Sequence, residues 1–216
     1  MRLTREKATQ NREEILETAT RLFKTQGIDN VSVADLMKAA GFTHGGFYNH
    51  FGSKAELAIE VIGYAFGQSL GEVEARVNSD DPSAALSDAL LYYLTPDHRD
   101  ESSGGCPTGS LPVDVGRQPR AAQIAFADGL ERYIDLISRF HSAKNARNRQ
   151  GAIATLSGLV GAIVLSRAVR LGRPELSDEI LGAIRTSGEL VKSDPSRRKK
   201  RRRQGPKPHK LVTLGG

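Results

Sequence analysis

An all-α chain is the fold class this sequence predicts, and three observations predict it. Apolar residues recur at spacings of three and four along almost the whole length. No segment alternates apolar and polar residues over the length of a strand, and β-branched clusters are few. Ser, Asp, Gly and Pro interrupt the apolar segments where helices would start and stop.

The elements follow in order. A first helix is expected over residues 8–26, with Ile15, Leu16, Ala19, Leu22 and Phe23 on one face and Gly27 as a left-handed stop. A short second helix starts at Ser32, which can cap it. Asp35 stands at the capping-box position, and Val33, Leu36 and Met37 supply the apolar side. Gly41 breaks that pattern, and a third short helix is expected over residues 43–50. Ser53 caps a long fourth helix reaching about Val77, with Glu56 completing a capping box and Leu57, Val61, Tyr64 and Ala65 facing inward. Further helices are expected over residues 82–94, 107–116, 119–142, 145–171 and 175–191, with the polar loop DHRDESSGG ahead of the second of these. The divisions expected are 1–54, 55–194 and a basic disordered tail over 195–216.

Charge is unevenly placed. The net charge is +6, yet residues 197–216 hold nine Lys/Arg and no acid, and residues 55–196 are net −5. The positive ends suit a polyanion and the acidic middle does not. The tail can add nonspecific DNA affinity by counterion release, or be a solvated linker remnant. The single cysteine, Cys106, excludes an intrachain disulfide. No apolar leader is seen in MRLTREKATQNREE, and the uncharged residues 150–166 read as a buried helix rather than a membrane span. No phosphate-binding loop, HExxH, nucleophile elbow or CxxC pair is found, so no enzyme and no cofactor are expected. His44 and His50 are six residues apart, off one helical face, so no metal site is expected.

Two short helices joined around one glycine, behind a longer supporting helix, have the spacing of a helix-turn-helix. Gly41 permits the sharp turn, Val33, Leu36, Ala40 and Phe42 fix the angle, and Phe47 and Phe51 point back to the core. The third helix then presents Thr43, His44, Gly45, Gly46, Tyr48 and Asn49 to a major groove, with Ser32 and His50 at its edges. Adjacent glycines inside a helix cost about 1 kcal/mol each against alanine, which suits a place where backbone must approach a base edge. Lys54, in the first turn of the fourth helix, is placed to bind phosphate.

The stretch VSVADLMKAAGFTHGGFYNHFGSKAEL resembles the N-terminal domain of the TetR family of bacterial transcriptional regulators over roughly residues 8–66. Phe42 stands where that family usually carries Ile or Val. The resemblance implies an N-terminal three-helix bundle with a helix-turn-helix and a larger C-terminal helical domain for ligand binding and dimerisation. It implies a cytoplasmic, nucleoid-associated repressor that binds a double-stranded DNA operator as a homodimer and is released by a small-molecule effector.

In the second half, small residues at Ser157, Gly158, Gly161 and Ala162 run beside apolar ones on the helix over 145–171. Ile153, Leu156, Val160, Gly161 and Val164, with Ile180 and Ile184 of the last helix, are the expected dimer interface; an intrachain core helix is the alternative. Phe66, Leu90, Tyr93, Cys106, Leu111, Phe126 and Tyr133 are the expected ligand-pocket residues, each also readable as ordinary core. Cys106 in SSGGCPTGS, at an expected helix start, is either a sensor of oxidants or electrophiles or a small buried apolar residue. A nonspecific DNA-binding protein is the remaining alternative.

Overall fold

Where this chain turns is set by local chemistry at each helix end. In the computed structural model, which describes residues 5–78, 80–101, 103–139 and 146–186, every regular element among the described residues is helical. Helix α1 (Arg5–Gln26) is followed by α2 (Val33–Ala39), a 3-10 helix (His44–Asn49) and α3 (Lys54–Val77). Then come α4 (Pro82–Tyr93), α5 (Pro96–Asp100), a 3-10 turn (Pro107–Gly109), α6 (Pro112–Val115), α7 (Arg120–Ser138), α8 (Ala146–Val169) and α9 (Pro174–Thr186).

Gly27 ends α1 at φ +88, its N–H bonded to the Phe23 carbonyl, and a Cβ there would meet the Asp114 carboxylate at 2.9 Å. Gly41 ends α2 at φ +80. Phe42 N–H donates to Met37 O and Gly41 N–H to Lys38 O, which is the paired Schellman arrangement. Ser32 and Ser53 cap α2 and α3 by accepting from the amides of Asp35 and Glu56.

One apolar cluster runs from Ile15 of α1 to Leu136 of α7, so the core does not break at the division expected after residue 54. Helix α3 carries the chain through it. A second cluster joins α4, α8 and α9 through Leu86, Leu94, Leu159, Ile163 and Leu181. Segment Asn148–Val169 of α8 is long and apolar enough to cross a membrane by length and composition; here it packs against α7 and α9.

Several boundaries differ from expectation. Residues 44–49 form a 3-10 rather than an α-helix, consistent with two glycines that favour no extended helix. The first four residues of the loop DHRDESSGG belong to α5, which is capped by Thr95 with Pro96 in its first turn. Residues 107–116 divide into a 3-10 turn and α6, because Pro112 restarts the helix. Helices α1 and α9 begin earlier than expected, at Arg5 and Pro174. The expected tail over 195–216 and the expected ends of the helices over 119–142 and 175–191 lie outside the described residues.

Candidate nucleic-acid interface and the cavity behind it

The sequence around residue 47 alternates anchors with exposed groups. Phe47 is fully buried and stacks within 5.5 Å of the buried Phe51 ring. Leu36 and Met37 close the same core from α2. With that side fixed, Thr43, His44, Gly45, Tyr48 and Asn49 are exposed, and Gly46 and His50 are half-buried. Tyr48 is 61% exposed, high for a tyrosine held edge-on to Phe47 and His44. A Cβ on Gly45 would meet nothing within 4 Å, and one on Gly46 would make ordinary contact with Thr43 and Met37. The protein's own packing therefore does not require either glycine.

Ser32 is exposed at the start of α2, its hydroxyl donating to Asp35 Oδ2 at 2.6 Å. Lys54 is half-buried at the start of α3, and its ammonium donates to the Asp29 carbonyl at 3.2 Å. Beside it, the free N–H groups of the α3 first turn give the partial positive charge of a helix N-terminus. The residues expected to contact DNA thus sit at the starts of α2 and α3 and along the 3-10 helix between them, which together make the candidate face.

That face is braced from behind. Arg12 of α1 pairs with both oxygens of Glu60 on α3, and its guanidinium lies 4.7 Å from the Phe51 ring centre. The α1–α2 turn is held by the chain segment after Cys106. Gln118 Nε2 donates to Asp29 Oδ1 at 2.9 Å, and Asp114 lies against Gly27. Asp29 therefore joins Lys54 on one side to the 106–118 segment on the other.

That segment also walls a cavity of about 250 Å³ between α3, α4, α7 and α8. Of the pocket residues expected from sequence, Leu90, Tyr93, Cys106 and Tyr133 line it. Phe66, Leu111 and Phe126 do not: they belong to the apolar core, where the Phe66 ring sits on Gly129 and 5.1 Å from the Phe126 ring centre. Leu156, expected at a dimer interface, also lines the cavity. Sequence reading missed Ser69, Glu72, Arg76, His98, Glu101 and Thr108. Their one visible signal is polarity on otherwise apolar helical faces of α3 and beside Cys106.

The cavity's polar wall is a hydrogen-bonded chain. Ser69 Oγ lies 2.6 Å from Tyr133 OH, and Cys106 Sγ donates to that same phenol at 3.4 Å. Thr108 Oγ1 lies 3.0 Å from the sulfur and 3.3 Å from Tyr93 OH. Burial pushes both tyrosine pKa values up and keeps the phenols protonated. Burial, then the Arg167 and Lys24 charges, lower the His98 pKa to about 4, so the imidazole is neutral at pH 7. Arg167 spends its guanidinium on the carbonyls of His98, Arg99 and Gly109. Cys106 is buried ahead of a three-residue 3-10 turn, so the expected activation by a helix start has no helix behind it.

On the outside of α8, Ile153 and Val164 are 41% and 38% exposed, Leu165 58%, and Val160 and Gly161 half-buried. Ile180 and Ile184 of α9 are half-buried against the second core cluster. Among the described residues no group of three or more metal-binding side chains occurs.

Residues 15–61 match the family model described as bacterial regulatory proteins, tetR family. The chain is 35% identical over 97 residues to the HTH-type transcriptional regulator AcrR of Shigella flexneri, covering 43% of this chain and 44% of that protein. It is 27% identical over 177 residues to the uncharacterized HTH-type transcriptional regulator YuxN of Bacillus subtilis, covering 79% and 60%. The alignments thus span about half the length of these relatives. Among solved structures, the reduced form of NemR from E. coli superposes at a TM-score of 0.71 and 18% identity, over 84% of this chain and 96% of that one. A TetR-family regulator from Cytophaga hutchinsonii superposes at 0.66 and 20% identity, over 86% and 95%. At these identities the structural likeness shows the fold: an N-terminal helix-turn-helix with a helical C-terminal domain.

Proposed function

The chain belongs, through its N-terminal domain, to the tetR family of bacterial regulatory proteins, and from that premise we propose that it is a cytoplasmic DNA-binding transcriptional regulator, a homodimeric repressor that a small molecule releases from a palindromic operator. The observation that carries this reading is the exposed arc Thr43, His44, Gly45, Tyr48 and Asn49, held over the buried Phe47. These groups stay exposed to solvent, with Tyr48 held edge-on to Phe47 and His44, and glycines at 45 and 46 leave room for a base edge.

Exposure and position support a division of roles. Thr43, His44, Gly45, Gly46 and Asn49 face the major groove, where base edges give specificity. Ser32, Tyr48, His50 and Lys54 flank them, contact the DNA backbone and fix register. Two copies pairing through α8 and α9, with Ile153, Val160, Gly161 and Val164 at the centre, bring two such faces to half-sites about one DNA turn apart. Release is a population shift. A ligand in the cavity moves the 106–118 wall, Gln118 and Asp114 carry that movement to the Asp29 turn, and the DNA-facing elements leave register.

A second reading concerns the signal. Cys106 lines the cavity, so a thiol-reactive oxidant or electrophile could act there in place of a reversible ligand. If Cys106→Ser leaves oxidant- and quinone-driven release unchanged, that reading fails.

The test of the main proposal is selection of genomic fragments bound by the purified full chain, repeated with candidate effectors. Enrichment of one palindromic site is expected. Uniform binding to all fragments would instead make the chain a nonspecific DNA-binding protein.

A further inference from the structure

We propose that the cavity takes a neutral one- or two-ring carbonyl compound, an inference that rests on the effector reading above and names the chemical class. Size sets the first limit. An apolar cavity of about 150 Å³ binds benzene, and this one is about 250 Å³. Leu86, Leu90, Leu136, Ile137 and Leu159 provide apolar walls for the ring system.

The polar wall sets the second limit by counting. Ser69, Tyr133, Cys106, Thr108 and Tyr93 form a chain of five groups with four links. Each group has one hydrogen to donate. Four links consume four hydrogens, so one is left over. The thiol donates to Tyr133, so Thr108 donates to the sulfur and Tyr93 to Thr108. The unspent hydrogen therefore sits at the Ser69–Tyr133 end, and both residues line the cavity. A ligand oxygen can accept that hydrogen, which adds a hydrogen bond that a hydrocarbon of the same shape cannot make.

Charge sets the third limit. Glu72 and Glu101 line the cavity and oppose a carboxylate. Arg76 lines it as well, and Lys24 and Arg167 act on His98 from close by, so the wall mixes both signs and presents no charge of one sign to complement an ionic ligand. Arg76 lies over the Tyr92 ring, 5.5 Å from its centre, and Arg167 is committed to three carbonyls. The chain at the polar wall is uncharged throughout. Neutral ligand and accepting oxygen follow together.

The experiment is isothermal titration of the full chain, without DNA, using 2-acetylnaphthalene, 2-ethylnaphthalene, 2-naphthoate and 2-(2-naphthyl)ethylamine. The ketone is expected to bind about tenfold more tightly than the ethyl compound, and both charged analogues more weakly than the ketone. Ser69→Ala alone frees the hydrogen of Tyr133 for the ligand, so the single substitution should leave the ketone preference in place. Ser69→Ala combined with Tyr133→Phe removes both hydroxyls, leaves only the weak thiol donor at that end, and should bring the ketone down to the affinity of the ethyl compound, itself little changed. Equal binding of ketone and ethyl compound, tighter binding of either charged analogue, or no binding of any of the four overturns the proposal. A parallel operator titration separates the two readings: a ketone that binds as expected but leaves operator affinity unchanged supports the ligand class and contradicts the effector role.

Discussion

The two ends of this molecule treat polar groups in opposite ways. In the N-terminal region the interior is closed and apolar around Ile15, Phe23, Leu36, Met37 and Phe47, and the functional groups point outward. In the C-terminal region a space is kept open, and hydroxyls, a thiol and a neutral imidazole point into it. A rigid closed head suits presenting a fixed surface to DNA. A domain with internal space and a nearly satisfied polar chain suits accepting a ligand. Between them, Asp29 is gripped by Gln118 from one side and by Lys54 from the other.

This contrast can be broken first by cutting into each interior. Phe47→Ala should cost about 3–5 kcal/mol, because its ring is fully buried in the apolar core. Leu90→Ala, at the cavity wall, should fall near the low end of the range for such changes, about 2 kcal/mol. Urea denaturation measures both, and equal costs would deny the difference between the two cores. Gly129→Ala tests the packing between α3 and α7. Its Cβ would lie 2.3 Å from the Phe66 ring, and overpacking there should cost about 1–3 kcal/mol; an unchanged denaturation midpoint would show that Phe66 can yield.

The buried imidazole gives a pH signature. His98 has its pKa lowered to about 4 in the folded chain, against 6.5 as its ordinary value. The unfolded chain therefore binds the proton first, and stability is lost as pH falls from about 6.5 toward 4. After solvent screening the loss should be about 1–2 kcal/mol. His98→Asn should flatten the profile of denaturation midpoint against pH in that window. The smallest effect on folding is expected at Gly45→Ala. Its φ is not positive and the space around it is open, so stability should hold or rise by up to about 1 kcal/mol. Operator affinity should nonetheless fall roughly tenfold by anisotropy titration if backbone approaches the bases there. Unchanged affinity would remove Gly45 from the interface.

The contrast also explains what could be read in the sequence. The head is legible because local rules build it: Ser32 and Ser53 cap, Gly27 and Gly41 turn, and Phe47 and Phe51 repeat at a spacing of four. Each role depends on residues within a few positions. The cavity wall is assembled from α3, α4, α7, α8 and the segment around Cys106, across as many as ninety residues. No periodicity distinguishes Leu90, which lines the space, from Leu111, which is buried core. Phe66 and Phe126 read as lining residues, but Gly129 admits the Phe66 ring onto α7, where it meets the Phe126 ring in the core. Leu156 shows the same ambiguity on an apolar helix with several covered sides. Ser69 and Thr108 are ordinary in sequence and gain meaning only from Tyr133 and Tyr93 beside them.

The central claim is that residues 43–54 grip DNA in two copies per site. The most direct measurement is anisotropy titration of a selected operator duplex across a range of salt concentrations, with the native chain and Lys54→Ala. Two chains per duplex are expected, and the substitution should lower affinity about evenly across sequences and reduce the salt slope by about two, one phosphate contact per chain. An unchanged affinity and slope, or one chain per duplex, would contradict it.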